Sequence, residues 1–142
     1  MIITRANALK DATALGDYCE GVKKLKNEFT GPTTNDLGIG GPVENVSTYD
    51  LFVVWHVNAM MTMTPAQNNP EGRNAAHRGP VFPAWHRFML RQLELNLQRV
   101  LAKNDFALPY WDWAMDGEGS PEEQLQSALW TKDGIGGSGD PI

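Results

Sequence analysis

His56, His77 and His86 are all the histidines in this chain of 142 residues, and they fall within one internal stretch. Neutral imidazole is the commonest protein ligand for copper and zinc, and three imidazoles suffice to hold such an ion while leaving it a reactive position. His77 and His86 frame the segment HRGPVFPAWHR, nine positions apart. Clustering alone arises by chance too often to carry a site, so the surroundings have to add to it. His56 sits in LFVVWHVNAMM and His86 in VFPAWHRFML, apolar settings in which a buried imidazole needs a partner for both ring nitrogens. A metal on one nitrogen and a hydrogen bond on the other meets that need. Three nitrogens without a carboxylate or thiolate favour copper or zinc over magnesium or calcium, and ligand type does not separate the first two.

The elements that must position these side chains are helical. From Asp11 to Phe29 the apolar residues Leu15, Tyr18, Cys19, Val22, Leu25 and Phe29 recur in steps of three and four, which predicts a helix with Lys23, Lys24 and Lys26 on its wet side. The run GPTTNDLGIGGPVEN, Gly31 to Asn45, reads as a long loop of the kind that shapes a cleft. Ser47 and Asp50 have the spacing of a capping box, and Tyr49, Phe52, Val53, His56, Ala59, Met60 and Met63 then form a stripe that ends at Thr64 and Pro65. The polar connection AQNNPEGRNAA delivers His77 in an irregular segment. Pro83 suits an early helical position, and Trp85 to Lys103 predicts a third helix whose inward face holds His86, Leu90, Leu93, Leu97 and either Val100 or Leu101. Two helices and one loop therefore converge three imidazoles. After the aromatic segment LPYWDWAMD come a short helix from Pro121 to Leu129 and a Gly-rich tail, GIGGSGDPI, read as a loop cut short.

Composition narrows the classes of function. A hydrophobic fraction of 42% and a charged fraction of 20% belong to an ordinary globular chain, of a length that fits one domain. The net charge of -5 argues against a nucleic-acid partner, because phosphate binding needs a basic surface. The longest apolar run, LFVVW at 51–55, is far too short to cross a bilayer, so no membrane span is expected. The start MIITRANALKDATALGD lacks a secretory pattern, which leaves a cytosolic chain, a processed one, or one exported by another route. Cys19, the only cysteine, excludes an internal disulfide.

The residues around the histidines resemble the tyrosinases, catechol oxidases and molluscan haemocyanins, proteins with a coupled dinuclear copper centre. HRGPVFPAWHR resembles that family's first copper-binding segment, LPYWDWA at Leu108 to Ala114 the stretch that follows it, and His56 matches the first copper ligand in order and setting. The resemblance covers residues 47–114 and, more loosely, the first helix with the RAN start at Arg5 to Asn7. It implies a mainly α fold in which this chain is half of an antiparallel four-helix bundle with long loops. A second polypeptide or a C-terminal half would complete it. Residues 1–142 would form the N-terminal, first-copper-site part of the oxidase domain, incomplete by itself. His56, His77 and His86 would be both ligand and catalytic residues, binding one of the two coppers of a complete site. Dioxygen would then oxidise a small phenol, o-diphenol or o-aminophenol to a quinone-type product. A partner with three further histidines must hold the other copper, since this chain has none left; it would be a cleaved fragment or a separate subunit, in preference to a mononuclear relic. An oxygen carrier of the haemocyanin kind and a mononuclear three-histidine zinc hydrolase are the alternatives.

Some family members link a cysteine to a copper-ligand histidine through a thioether; with Ala75 and Ala76 before His77 and Cys19 far off in a helix, that link is expected to be absent. Arg87 and Arg91 are expected to pair with acidic neighbours such as Glu94, and Trp85, Trp111 and Trp113 to lie in the core. Asp112 is expected to accept hydrogen bonds from backbone or an imidazole, and Met60, Met61 and Met63 to fill a core rather than bind copper.

Overall fold

A computed structural model of the chain describes residues 4–29, 31–64, 73–74, 76–77, 79–132 and 134–136. It is mainly helical: α1 is Ala12–Lys26, α2 Thr48–Met61, α3 Phe82–Leu101, α4 Trp113–Asp116 and α5 Pro121–Leu125, followed by a 3-10 turn at Ala128–Trp130. Two very short strands, β1 (Met63–Thr64) and β2 (Arg73–Asn74), pair antiparallel with Met63 opposite Asn74. The chain parts into two compact units, one of residues 1–23 with 97–142 and one of residues 24–96.

In the first unit, Ala8, Leu15 and Leu129 form a buried cluster against which Leu9 and Cys19 pack. The RAN start is tied to the aromatic segment by backbone, as Ala8 N–H donates to the Tyr110 carbonyl (2.9 Å) and Tyr110 N–H to that of Ala6 (2.9 Å). The Arg5 guanidinium adds a bond to the Leu108 carbonyl. Gly21 of α1 lies where a Cβ would stand 2.6 Å from Leu97 Cδ2 and 3.2 Å from Leu101 Cδ1, so the two helices approach as closely as they do only because this position has no side chain. The helix α3 stops at Leu101 because Ala102 turns to φ 54° and Lys103 N–H returns to the Gln98 carbonyl, the six-to-one bond of a left-handed helix end.

In the second unit, Ser47 caps α2: its Oγ accepts from Asp50 N–H and donates to the Asp50 carboxylate. The loop 31–45 folds back on itself through Thr34 N–H to the Glu44 carbonyl and a bridge between Thr33 and Asn45. Thr62, through both N–H and hydroxyl, donates to the Asn58 carbonyl, and the chain then enters β1. This ends α2 at Met61, ahead of the expected Thr64; Pro65 and the connection 66–72 lie outside the described residues.

The helical stripes form, but not every face is covered. Phe29 lies beyond the end of α1 and is 56% exposed, Leu90 is 43% exposed, and Val53, Met60 and Met63 of the second stripe are exposed too. The buried positions of α3 are Glu94, Leu97 and Gln98. This helix starts at Phe82, ahead of the expected Trp85, with Pro83 at its second residue, where the missing N–H has no intrahelical partner to lose. The expected helix over Pro121 to Leu129 is α5, capped by Ser120 and Glu123, and the separate 3-10 turn. Of the Gly-rich tail only 134–136 is described.

Leu97 is fully buried and cannot yield freely. Gly21→Ala should therefore destabilise despite a helix-propensity gain of about 1 kcal/mol, because overpacking costs about 1–3 kcal/mol. Leu97→Ala should cost about 2–5 kcal/mol. In urea denaturation the double variant should lose less than the two single losses added together, since Leu97→Ala vacates the space that the new methyl needs.

Candidate metal centre

Both helices of the second unit carry a histidine directly after a tryptophan, Trp55–His56 on α2 and Trp85–His86 on α3. The Trp55 ring packs against Trp85 at 5.5 Å between centroids and meets Phe88, one helical turn further along α3, edge-on at 5.9 Å. The Trp85 ring in turn lies over the His56 ring at 5.5 Å and 27°. This aromatic interlock sets the two helices so that the His56 and His86 rings stand 5.5 Å apart. His77 enters from the irregular segment after β2, with its ring 5.1 Å from each of the other two. One nitrogen from each of the three imidazoles lies within 4.8 Å of the others, and among the described residues no other three His, Cys, Asp or Glu side chains form such a group.

The hydrogen bonds show which nitrogens are free for a metal. His86 Nδ1 lies 2.8 Å from the Phe82 carbonyl oxygen, and because a carbonyl only accepts, Nδ1 carries the proton and Nε2 keeps its lone pair. The Nε2 atoms of His56 and His77 stand 3.3 Å apart. Two nitrogens bound to one ion at about 2.0 Å with a tetrahedral angle lie about 3.3 Å from each other, so this spacing fits a shared ion. The donor set, three half-buried imidazoles with no thiolate or carboxylate, fits copper or zinc. Phe82 packs on His86 at 4.2 Å and on His77 at 5.8 Å, which with Trp85 makes an apolar wall around the nitrogens.

Partial burial holds the His56 pKa below its ordinary value of 6.5, and the neighbouring His77 and His86 lower it further by disfavouring another positive charge. A neutral imidazole, the form that binds metal, is thus kept to lower pH.

All three histidines singled out from the sequence are brought together. Arg91 pairs with Glu94 at 2.7 Å. Asp112 accepts from the Met115 N–H and from the Asn7 side-chain amide, capping α4. Trp111 and Trp113 depart from the core reading: they are 46% and 70% exposed. Trp111 sits edge-on to Trp130 and donates its indole N–H to Asp116, so its polar edge is satisfied at the surface. Met60, Met61 and Met63 are exposed, not core-filling. Two residues that periodicity did not single out touch the histidines: Phe82, through its carbonyl and ring, and Asn74, whose side chain accepts from the backbone leading into His77. An asparagine three residues before a loop histidine, as in RNAAH, was the available signal for the second.

Two interlocked helices and the irregular segment between them bring together three imidazoles able to hold a metal ion in a mainly helical protein. Residues 46–142 match the common central domain of tyrosinase, and the chain belongs to the tyrosinase family. The match runs on to Ile142, past Ala114 where the resemblance read from the sequence stopped. The chain is 42% identical over 76 residues to the 5,6-dihydroxyindole-2-carboxylic acid oxidase of Carassius auratus, covering 52% of this chain and 15% of that protein. It is 37% identical over 95 residues to the tyrosinase of Streptomyces lincolnensis (67% of this chain, 30% of that one). The tyrosinase of Streptomyces antibioticus is 37% identical over 97 residues (68% and 31%). The chain thus spans less than a third of the length of each of these relatives.

In the metal-free chain, NMR titration of the His56 ring should give a midpoint below 6.5, and replacing His77 and His86 together by alanine should raise it only in part, since burial is the larger cause. The lowered value means that the unfolded chain takes up this proton first. The stability contributed by neutral His56 is present above 6.5 and is lost as pH falls from there through the folded midpoint. A midpoint at or above 6.5 would contradict this account of the site.

Proposed function

We propose that this chain binds one copper ion through His56, His77 and His86 and is the first-copper-site part, over residues 1–142, of an oxidase that uses dioxygen to convert phenols, o-diphenols or o-aminophenols to quinone-type products. The observation that carries the reading is the convergence of three imidazole nitrogens in a chain of the tyrosinase family. The names of the relatives, tyrosinase and 5,6-dihydroxyindole-2-carboxylic acid oxidase, support a hydroxylated aromatic substrate. Copper held there supplies the redox change that side chains lack.

The chain's own residues have separable tasks in this reading. The Phe82 carbonyl holds the His86 proton on Nδ1 and so keeps Nε2 turned to the ion. Trp85 over His56 and Phe82 over His77 and His86 restrain the rings and keep water from their faces. The depressed His56 pKa keeps that ligand unprotonated. The other copper of a dinuclear centre would be held by three histidines outside residues 1–142, on a second polypeptide or a C-terminal half, because His56, His77 and His86 are all that residues 1–142 contain. The apolar residues Val53, Val57, Met60 and Met61 of α2 and Phe82, Phe88 and Leu90 of α3, all exposed, support a partner that covers them.

Offered equal copper and zinc, the chain should retain about one copper, consistent with the greater affinity of nitrogen sites for copper, and each of His56→Ala, His77→Ala and His86→Ala should remove most of it, as metal analysis after dialysis would show. The copper-loaded chain alone should give no quinone from catechol, and adding the complementary fragment should switch the reaction on. Retention of zinc instead of copper would refute the oxidase, and quinone formation by the chain alone would refute the need for a partner.

A further inference from the structure

Among the three imidazoles His77 alone is not held by a helix, so its position has to be fixed by other means. Asn74 supplies them at both ends. Its backbone is registered opposite Met63 in the β1–β2 pair, two residues beyond the last residue of α2, the helix that carries His56. Its side-chain oxygen accepts from two successive backbone N–H groups, those of Ala76 (3.1 Å) and His77. Ala76 is fully buried, so its N–H lies away from water and needs a protein acceptor. We propose that Asn74 is a positioning residue for the metal centre: it latches the His77 backbone to the end of α2 and so sets the 3.3 Å separation between His56 Nε2 and His77 Nε2. The inference rests on the reading of His77 as a ligand. No proton or electron moves through Asn74. The acceptor oxygen is the whole of its contribution, so aspartate can replace it and alanine cannot.

The test is a titration of Cu²⁺ into the 142-residue chain and into N74A, N74D and H77A, with pulsed electron paramagnetic resonance counting the coordinated imidazoles and circular dichroism checking the fold. Asn74→Ala should weaken copper binding by about 10–100-fold, as loss of outer contacts to a ligand does, and lower the imidazole count from three to two in a folded chain. Asn74→Asp should restore both. A folded N74A that binds copper like the wild type with three imidazoles overturns the inference, as does a folded N74D that stays at two. If N74A does not fold, the N74D count alone decides. Should H77A bind copper as well as the wild type, the ligand reading itself falls, an outcome distinct from the failure of Asn74.

Discussion

The packing of Trp55 between Trp85 and Phe88 is the interaction on which the site depends. Each ring pair of this kind contributes about 0.5–1.5 kcal/mol beyond the area it buries, and an indole is too rigid to be rearranged without moving the helix that carries it. The contact therefore fixes both the spacing of α2 and α3 and their rotation about their own axes. Because His56 and His86 each follow one of these tryptophans, setting the indoles sets the imidazoles one step along each helix. A polar cluster that would otherwise scatter into water is held by its apolar neighbours.

That frame works against a local penalty. Burial lowers the proton affinity of His56, whose ring stacks on Trp85, and the nearby His77 and His86 imidazoles lower it further. In the absence of an ion, His56 and His77 can satisfy each other only if one Nε2 donates to the other, which leaves one of the two ring tautomers committed. Local polar demands that conflict with the surrounding apolar packing are the signature of a functional site in an otherwise consistent fold. The His86 ring has no such freedom, as the Phe82 carbonyl one turn before it has already fixed its tautomer.

The helices and the convergence of the histidines were legible in the sequence because both follow from spacing. A helical period puts His56 and His86 on stripes, and Ser47 with Asp50 marks where one stripe begins. What spacing could not convey is whether a face is covered. Leu90, Val53 and Met60 share faces with the expected residues yet are exposed, since period reports which residues lie together and not what lies opposite. Helix ends depended on single residues with no periodic signature: Ala102 in a left-handed conformation, and Thr62 turning the chain into a strand too short to alternate. Size alone places Trp111 and Trp113 in the core, but both are exposed, and Trp111, whose indole N–H donates to Asp116 at the surface, has less reason to be buried.

The exposed apolar residues belong to the two helices that carry His56 and His86, and this bears on why the proposed site would need a complement. Phe82 is both a wall of the imidazole cluster and an exposed ring, and Phe88 is both a member of the tryptophan interlock and exposed. Water reaching those rings also reaches the edge of the site. A copper centre meant to act on a bound aromatic requires that water be excluded and that the substrate be gripped on more than one side. Two helices can offer one wall. In the proposed oxidase the remaining enclosure would come from a surface that buries Phe82, Phe88 and their exposed neighbours, so the covering of the apolar face and the completion of the chemistry would be the same event. On this reading, burying those rings is as much a part of catalysis as supplying the second set of imidazoles.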